Sequence, residues 1–305
     1  MKTITITGFR RPHLFAALID SLIANDLDGW RVNIQIEPSS IAGEFETIAT
    51  EKLAGIAWSI TVNPAVLGIR ENPFRLLRRS FEEGAEVVLY LEEDLLLATD
   101  ATELARWYSD NHRPHWMMLS LLSGGCGSAG LISEPSVPSL LFESKSFNSL
   151  GFVCRRAEWE QHLRDAWLLD PAVNINSEGG PAPGWDWAIY HHLIRAQGMF
   201  SLQPAAARAV HNGREGGEFC KPDWHDLAFV GLDLVAKTGE RQPFSIVAPE
   251  FLPPRLRRQV LLWAQLNDAL GVLGSRTAEL AALRAEVERQ RTGNLWSRLI
   301  QVIKP

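Results

Sequence analysis

Hydrophobic and polar positions alternate strictly at the start of the chain. Thr3, Thr5 and Thr7 interleave Ile4 and Ile6, the period of a strand. Gly8-Phe9-Arg10-Arg11 follows, and Pro12, preset for a first helical turn, opens a helix whose apolar face is Leu14, Leu18, Leu22 and Ile23. Val32, Ile34 and Ile36 mark a second strand that ends at Glu37-Pro38. A helix is predicted over 43–54, and Trp58 to Val62 reads as a third strand, ending at Asn63-Pro64. Another helix fits 73–83. Val87-Val88-Leu89-Tyr90-Leu91 is then a continuous apolar run, as expected of a central strand buried on both faces. The order β-α-β-α-β-α-β predicts an α/β fold with a mostly parallel central sheet flanked by helices. Ligands in such sheets bind beyond the carboxyl ends of the strands. Those ends carry Gly8 to Arg11, Glu37, Asn63, and Glu92 to Asp94.

The second half is less regular. A helix is predicted over 100–111, a strand over 116–121, a glycine-rich loop over 124–130, a strand at 151–154 and a helix over 156–167. A Gly/Pro-rich loop, 171–184, leads to a helix starting near Trp185, and 204–225 reads as a polar loop. From about 255 the pattern is that of a helical tail. Leu266, Leu273, Leu280 and Val287 are spaced by seven, but Leu270, Thr277 and Arg284 on the other seam are not all apolar, so the heptad is partial. The end, Leu295 to Lys304, is a short amphipathic segment that suits packing on the domain, a contact with another subunit in a homo-oligomer, or a peripheral contact with a membrane. The expected division is a domain over 1–250, with halves 1–97 and 98–250, and a tail over 251–305.

Composition narrows the class. The hydrophobic fraction of 46% and charged fraction of 22% are those of an ordinary globular chain. A formal net charge of −6 without a long basic run argues against a nucleic-acid partner. Cys126, Cys154 and Cys220 are far apart and lack CxxC spacing, which disfavours a disulfide framework or zinc site and points to a reducing compartment. The apolar run at the N-terminus is too short for a signal peptide or a span. The expectation is a cytoplasmic protein, peripheral to a membrane if the tail binds one.

Three elements carry candidate chemistry. Glu92-Glu93-Asp94 directly follows the buried strand, with Leu95-Leu96-Leu97 after it. Burying unpaired carboxylates is costly, so these acids either form a solvated turn or sit at an opening and hold a cation. Carboxylate oxygens suit Mn²⁺ or Mg²⁺. Gly184-Trp185-Asp186-Trp187 sets one carboxylate between two indoles at a helix start. Apolar walls would raise its pKa and make it a better base; the alternative is an ordinary first-turn aspartate with core tryptophans. His211-Asn212-Gly213-Arg214-Glu215-Gly216-Gly217-Glu218 is a glycine-rich loop able to close over a ligand. In it His211 is either a metal ligand or a plain loop histidine, and Arg214 is suited to phosphate. A GxxxxGK[ST] loop, a GxGxxG after the first strand and a GxSxG elbow are all missing, which removes the commonest nucleotide-binding and hydrolase patterns.

Together these residues resemble a family. Thr5-Ile6-Thr7-Gly8-Phe9-Arg10-Arg11-Pro12 is similar to the first strand and turn of GT-A glycosyltransferases, and Val87 to Leu95 resembles their DXD-like strand, closest to the E-D-D-L form of N-acetylglucosaminyltransferase I and its relatives. Gly184 to Trp187 resembles their W-D-D-W segment, and Arg208 to Phe219 their late glycine-containing loop. The triplet here is E-E-D, and the tryptophan segment has one acid rather than two. The resemblance implies a Rossmann-like GT-A domain and an inverting, metal-dependent transfer of a hexosyl or N-acetylhexosaminyl group. The donor would be a nucleotide sugar, UDP-linked by the same comparison. The acceptor hydroxyl would belong to a glycan, lipid or protein. It also implies roles. Asp186 would be the general base, and Asp94 and His211 would hold Mn²⁺ or Mg²⁺. Glu92 would approach the donor sugar and Glu93 the ribose. Arg10 and Glu37 would meet the nucleoside, and Asn63, Arg70 and Asn72 would lie near it or the diphosphate. Thr7, Gly8, Trp185 and Arg214 complete the expected donor site. Two rivals stay open: a nucleotidyltransferase, whose usual glycine-rich loop with a lysine is absent, and a non-catalytic transferase-like scaffold.

Overall fold

The computed structural model describes residues 1–122, 137–169, 184–216, 222–229, 234, 243–254 and scattered positions between 256 and 289. The first half alternates as the periodicity predicts: β1 (Lys2–Gly8), α1 (Pro12–Ile23), β2 (Trp30–Ile36), α2 (Ala42–Lys52), β3 (Ala57–Val62), α3 (Gly68–Glu82) and β4 (Val87–Glu92). Then come β5 (Leu95–Leu97), α4 (Ala101–Asp110), β6 (Trp116–Ser120), β7 (Leu140–Ser144) and β8 (Phe152–Arg155). The expected helix after β8 is present as α5 (Arg156–Glu158) and α6 (Arg164–Trp167), joined by a π-wound turn over Trp159–Leu163. The remaining elements are α7 (Trp185–Ile189), β9 (Phe200–Pro204), β10 (Ala209–His211), α8 (Pro222–Phe229) and β11 (Ser245–Ile246).

Among the described residues nine strands form one sheet, in the order β11-β7-β9-β6-β8-β4-β1-β2-β3. β4, β1, β2 and β3 run parallel, with Ile6 beside Leu91 on one flank and Ile34 on the other, while β8 is antiparallel to both β4 and β6. Alternation along β4 builds two cores. Leu89 and Leu91 join Ile4, Ile6, Phe15, Leu18 and Phe45 beneath α1 and α2. Val88 and Tyr90 join Phe74, Leu77, Phe81, Trp159 and Trp185 on the other face. Strands covered on both sides leave no solvent face, so even Thr3 and Thr5 are fully buried.

Three expectations are corrected. Helix α3 begins at Gly68 rather than 73, with Pro73 inside it, because the Glu37 carboxylate accepts the N–H groups of Leu67 and Gly68 and so caps the earlier turn. Residues 204–225 are not one polar loop, although 212–216 are an irregular stretch with Asn212, Arg214, Glu215 and Gly216 exposed. Ala205 to Arg208 are buried, β10 follows, and α8 begins at Pro222. A three-residue strand is too short to show a period, and its partner is distant in sequence. Strands β7, β9 and β11 also add to the sheet without having been anticipated. The loop at 124–130, most of the loop at 171–184 and the segment 295–304 lie outside the described residues.

The described residues of 254–289 are helical. Leu256 and Val260 pack with Leu252 against Ala98, Phe142, Ala205 and Ala206, which docks the start of the tail on the domain. Of the heptad positions, Leu273 is half-exposed and Leu266, Leu280 and Val287 lie outside the described residues. Among the described residues no helix is long and apolar enough to cross a membrane.

Candidate active site

The small ribbon of β5 and β10 builds the site. Its antiparallel register sets His211 opposite Leu95, directly after Asp94, and Asn212 N–H donates to the Asp94 carbonyl at 2.6 Å. His211 Nε2 then lies 3.0 Å from Asp94 Oδ2. The ribbon is anchored by Arg208. Its backbone pairs with Leu121 and Ala98, and its fully buried guanidinium donates from Nε to both oxygens of Asp100 at 3.0 Å. Resemblance pointed to a late histidine; the short ribbon is what brings it to the acids.

Arg11, rather than its neighbour Arg10, reaches the acids. Standing before α1, it donates from Nε to Glu93 Oε1 at 2.9 Å and from Nη2 to Asp94 Oδ2 at 2.6 Å. Glu93 Oε2 takes the Phe9 N–H at 2.6 Å. A signal was available: two buried acids at the end of β4 require a cation, and the loop after adjacent β1 carries two arginines. Burial alone would raise the Asp94 carboxyl, but hydrogen bonds and charge from His211 and Arg11 hold it below the ordinary carboxylate range. Gly213 closes the arrangement. A Cβ there would stand 2.7 Å from Arg11 Nη1 and Asp94 Oδ2 and 3.0 Å from His211 Cε1, so only glycine lets the backbone approach so closely. At Gly8 a Cβ would meet Ile36 and Phe45 at 2.9 Å and Glu93 Oε2 at 3.1 Å.

Asp94 Oδ1 and His211 Nδ1 are buried and find no partner among the described residues. Mn²⁺ and Mg²⁺ usually keep several waters and take one or two protein ligands together with substrate phosphates. A carboxylate with one unsatisfied oxygen, whose other oxygen faces an imidazole, fits that demand. Among the described residues no group of three His, Cys, Asp or Glu side chains gathers to hold a metal, so substrate and water would complete such a shell.

Glu92 joins this corner to the other candidate acid. Tyr90 Oη donates to Glu92 Oε1 at 3.2 Å and shares a hydrogen bond with Thr7 Oγ1 at 3.0 Å. Burial, then the charge of Asp94, and also that of Asp186, push the Glu92 carboxyl up to about 8. Glu92 therefore feels both acids. Asp186 lies in the first turn of α7, where burial raises its pKa against the lowering effect of backbone N–H groups. Trp185 fixes that turn, stacked on Trp167 at 3.8 Å and edge-on to Tyr90 at 6.3 Å.

The other expected donor contacts sit differently. Glu37 is committed to the start of α3 and to Asn63 Nδ2, while Asn63 and Gln35 both donate to Asn72 Oδ1, making a buried amide network under the sheet edge. Arg70 donates to the carbonyls of Trp167 and Leu169 and ties α3 to the end of α6. Arg214 forms a fork with Asp226 of α8, both bonds 2.8 Å, on the surface. Arg10 is exposed at the strand edge, stacked over Phe9. The structure thus gathers Thr7, Gly8, Glu92, Glu93, Asp94 and His211, sets Trp185 against Tyr90 with Asp186 beside it in the chain, and occupies Glu37, Asn63, Arg70, Asn72 and Arg214 with bonds inside the protein.

A parallel sheet continued by antiparallel strands, with acids leaving its central strand and a late ribbon folded back onto them, is the GT-A fold. One solved structure supports this at the level of fold. Mannosyltransferase PcManGT from Pyrobaculum calidifontis, in complex with GDP-Man and Mn²⁺, matches over 97% of this chain and 80% of its own, with TM-score 0.50 and 15% identity. S. aureus TarS 1–349, in complex with UDP-GlcNAc, matches over 71% of this chain and 60% of its own, with TM-score 0.49 and 15% identity. At these identities the likeness is one of fold. No protein-family model matches the chain, and no curated protein matches it.

Proposed function

We propose that the protein is a glycosyltransferase that moves a sugar from a nucleotide-sugar donor to an acceptor hydroxyl with inversion at the anomeric carbon. The observation that carries this reading is the corner after β4, where His211 Nε2 lies 3.0 Å and Arg11 Nη2 2.6 Å from Asp94 Oδ2 while Asp94 Oδ1 finds no partner among the described residues. Burial, then the charge of Asp94 and also that of Asp186, raises the Glu92 carboxyl, which supports reading the acid corner and the candidate base as parts of one site. The GDP-Man and Mn²⁺ in complex with the fold neighbour PcManGT support a nucleotide-sugar donor and a divalent ion.

In this mechanism Asp186, its basicity raised by burial, takes the proton from the acceptor hydroxyl as that oxygen attacks the anomeric carbon. Glu92 faces the transferred sugar. Asp94 and His211 would hold Mn²⁺ or Mg²⁺, which when bound offsets charge on the departing nucleoside diphosphate. The ribbon carrying His211 and the turn at Gly213 cover the acids and restrict water. The discriminating experiment is product analysis with nucleotide sugars and metal. Release of a free nucleoside diphosphate supports the transferase, release of pyrophosphate would favour a nucleotidyltransferase, and no turnover, including hydrolysis, would favour a scaffold.

A further inference from the structure

Arg11 places a fixed positive charge on the carboxylate that would receive the metal. Its Nη2 donates to Asp94 Oδ2, the same oxygen that faces His211 Nε2. Its Nε is held by Glu93, whose other oxygen is taken by the Phe9 N–H, so the guanidinium is tethered. Its Nη1 is buried and finds no hydrogen-bond partner among the described residues. Gly213 lies against that atom. A buried donor left unpaired is costly, and an arginine fork is well shaped for phosphate oxygens.

Two cations sharing one carboxylate oxygen repel each other. A divalent ion arriving alone at Asp94 therefore meets an opposing charge that its tether to Glu93 keeps from retreating. A diphosphate arriving alone finds the arginine's charge already balanced by two acids. Together, ion and diphosphate remove both difficulties, because the diphosphate screens the metal from the guanidinium and supplies the acceptor that Nη1 lacks. Resting on the donor and metal reading above, we infer that Arg11 makes the binding of the divalent ion and of the donor's diphosphate mutually dependent. Each ligand must then raise the affinity of the other by the same factor.

The test is Mn²⁺ binding by the full chain, read from the electron paramagnetic resonance of free Mn²⁺, without nucleotide, with UDP and with GDP. The proteins compared are the wild type, Arg11→Gln, Arg11→Lys and Asp94→Asn. In the wild type at least one diphosphate should tighten Mn²⁺ binding by about tenfold or more, the ordinary range of such coupling. Arg11→Gln, which keeps a hydrogen-bond donor without the charge, should bind Mn²⁺ alone about tenfold more tightly than the wild type and lose most of the nucleotide effect. Arg11→Lys should keep the coupling. Equal affinity of wild type and Arg11→Gln for Mn²⁺ alone, with nucleotide enhancement intact in both, would overturn the role of Arg11 while leaving the transferase reading standing. Should Arg11→Gln fail to fold, a folded Arg11→Lys without coupling overturns it equally. Absence of Mn²⁺ and nucleotide binding in every protein, with Asp94→Asn no different from the wild type, would instead overturn the functional reading on which the inference rests.

Discussion

Replacing Arg208 by methionine should be among the most damaging single substitutions in the chain, although Arg208 touches neither Asp94 nor Asp186. Its side chain and that of Asp100 are both 0% exposed. Arg208 Nε contacts both carboxylate oxygens at 3.0 Å, Nη1 donates to the Ala206 carbonyl at 2.6 Å, and Nη2 donates to the Pro138 carbonyl. Methionine fills much of the volume but supplies no donor, leaving a buried carboxylate without its cation and two carbonyls short of a partner. Breaking a buried pair in this way typically costs about 3–5 kcal/mol. That is a large part of the roughly 5–15 kcal/mol by which domains are stable. Urea unfolding followed by circular dichroism should show this loss. The paired change Arg208→Met with Asp100→Leu should recover most of it, since an apolar pair of similar volume often equals a buried ion pair. The reasoning fails if the single substitution costs less than about 1 kcal/mol, or if the paired change is as unstable as the single one.

Asp186→Asn should retain donor binding yet lose at least about a hundredfold in turnover, the low end of what a general base contributes, measured by steady-state transfer assays. Asp94→Ala should abolish the dependence of activity on added Mn²⁺ or Mg²⁺, checked by metal titration with nucleotide present. Gly213→Ala must displace Arg11, Asp94 or His211, because its Cβ would stand 2.7–3.0 Å from each. It should cost about 1–3 kcal/mol in urea unfolding, as overpacking does, and reduce turnover.

Much of the fold was legible because the first half obeys simple periods. Thr/Ile alternation in β1 and the apolar run of β4 identify central strands, and the polar residues that end each strand mark the ligand edge. The second half obscured itself for identifiable reasons. β10 is three residues long, β9 ends in a proline, and Ala205 to Arg208 mix small residues with a buried arginine whose partner lies far away in sequence. The family resemblance makes Glu37, Asn63 and Asn72 ligand candidates, and Glu37 and Asn63 also stand at strand ends on the ligand edge. Here the open end of α3 and the buried amides satisfy one another. Arg11 illustrates the converse. Cation and acids were both visible, but pairing them required knowing that β1 and β4 are neighbours.

A cluster away from the candidate site gives the clearest pH dependence. Glu158 caps the start of α5 by accepting the Arg155 N–H at 2.9 Å. It also receives Arg155 Nη2 and His112 Nε2, each at 2.8 Å, and its side chain is 4% exposed. Burial alone would raise its pKa, but the hydrogen bonds and charges of His112 and Arg155 outweigh burial and hold it at about 2, against an ordinary value of 4.5. A depressed folded-state value means the stabilisation is complete above the unfolded value and fades as pH falls through the folded one. The difference corresponds to about 3 kcal/mol at neutral pH. Glu158→Gln should therefore be less stable than the wild type by roughly that amount at pH 7. The gap between the two proteins should narrow between about pH 4.5 and pH 2, as the wild-type carboxylate takes up its proton. Comparing the two proteins at each pH cancels the titration of the other acids, so the gap isolates Glu158. A gap that stays constant from pH 7 down to about pH 2.5 would mean that the carboxylate charge contributes nothing to the fold.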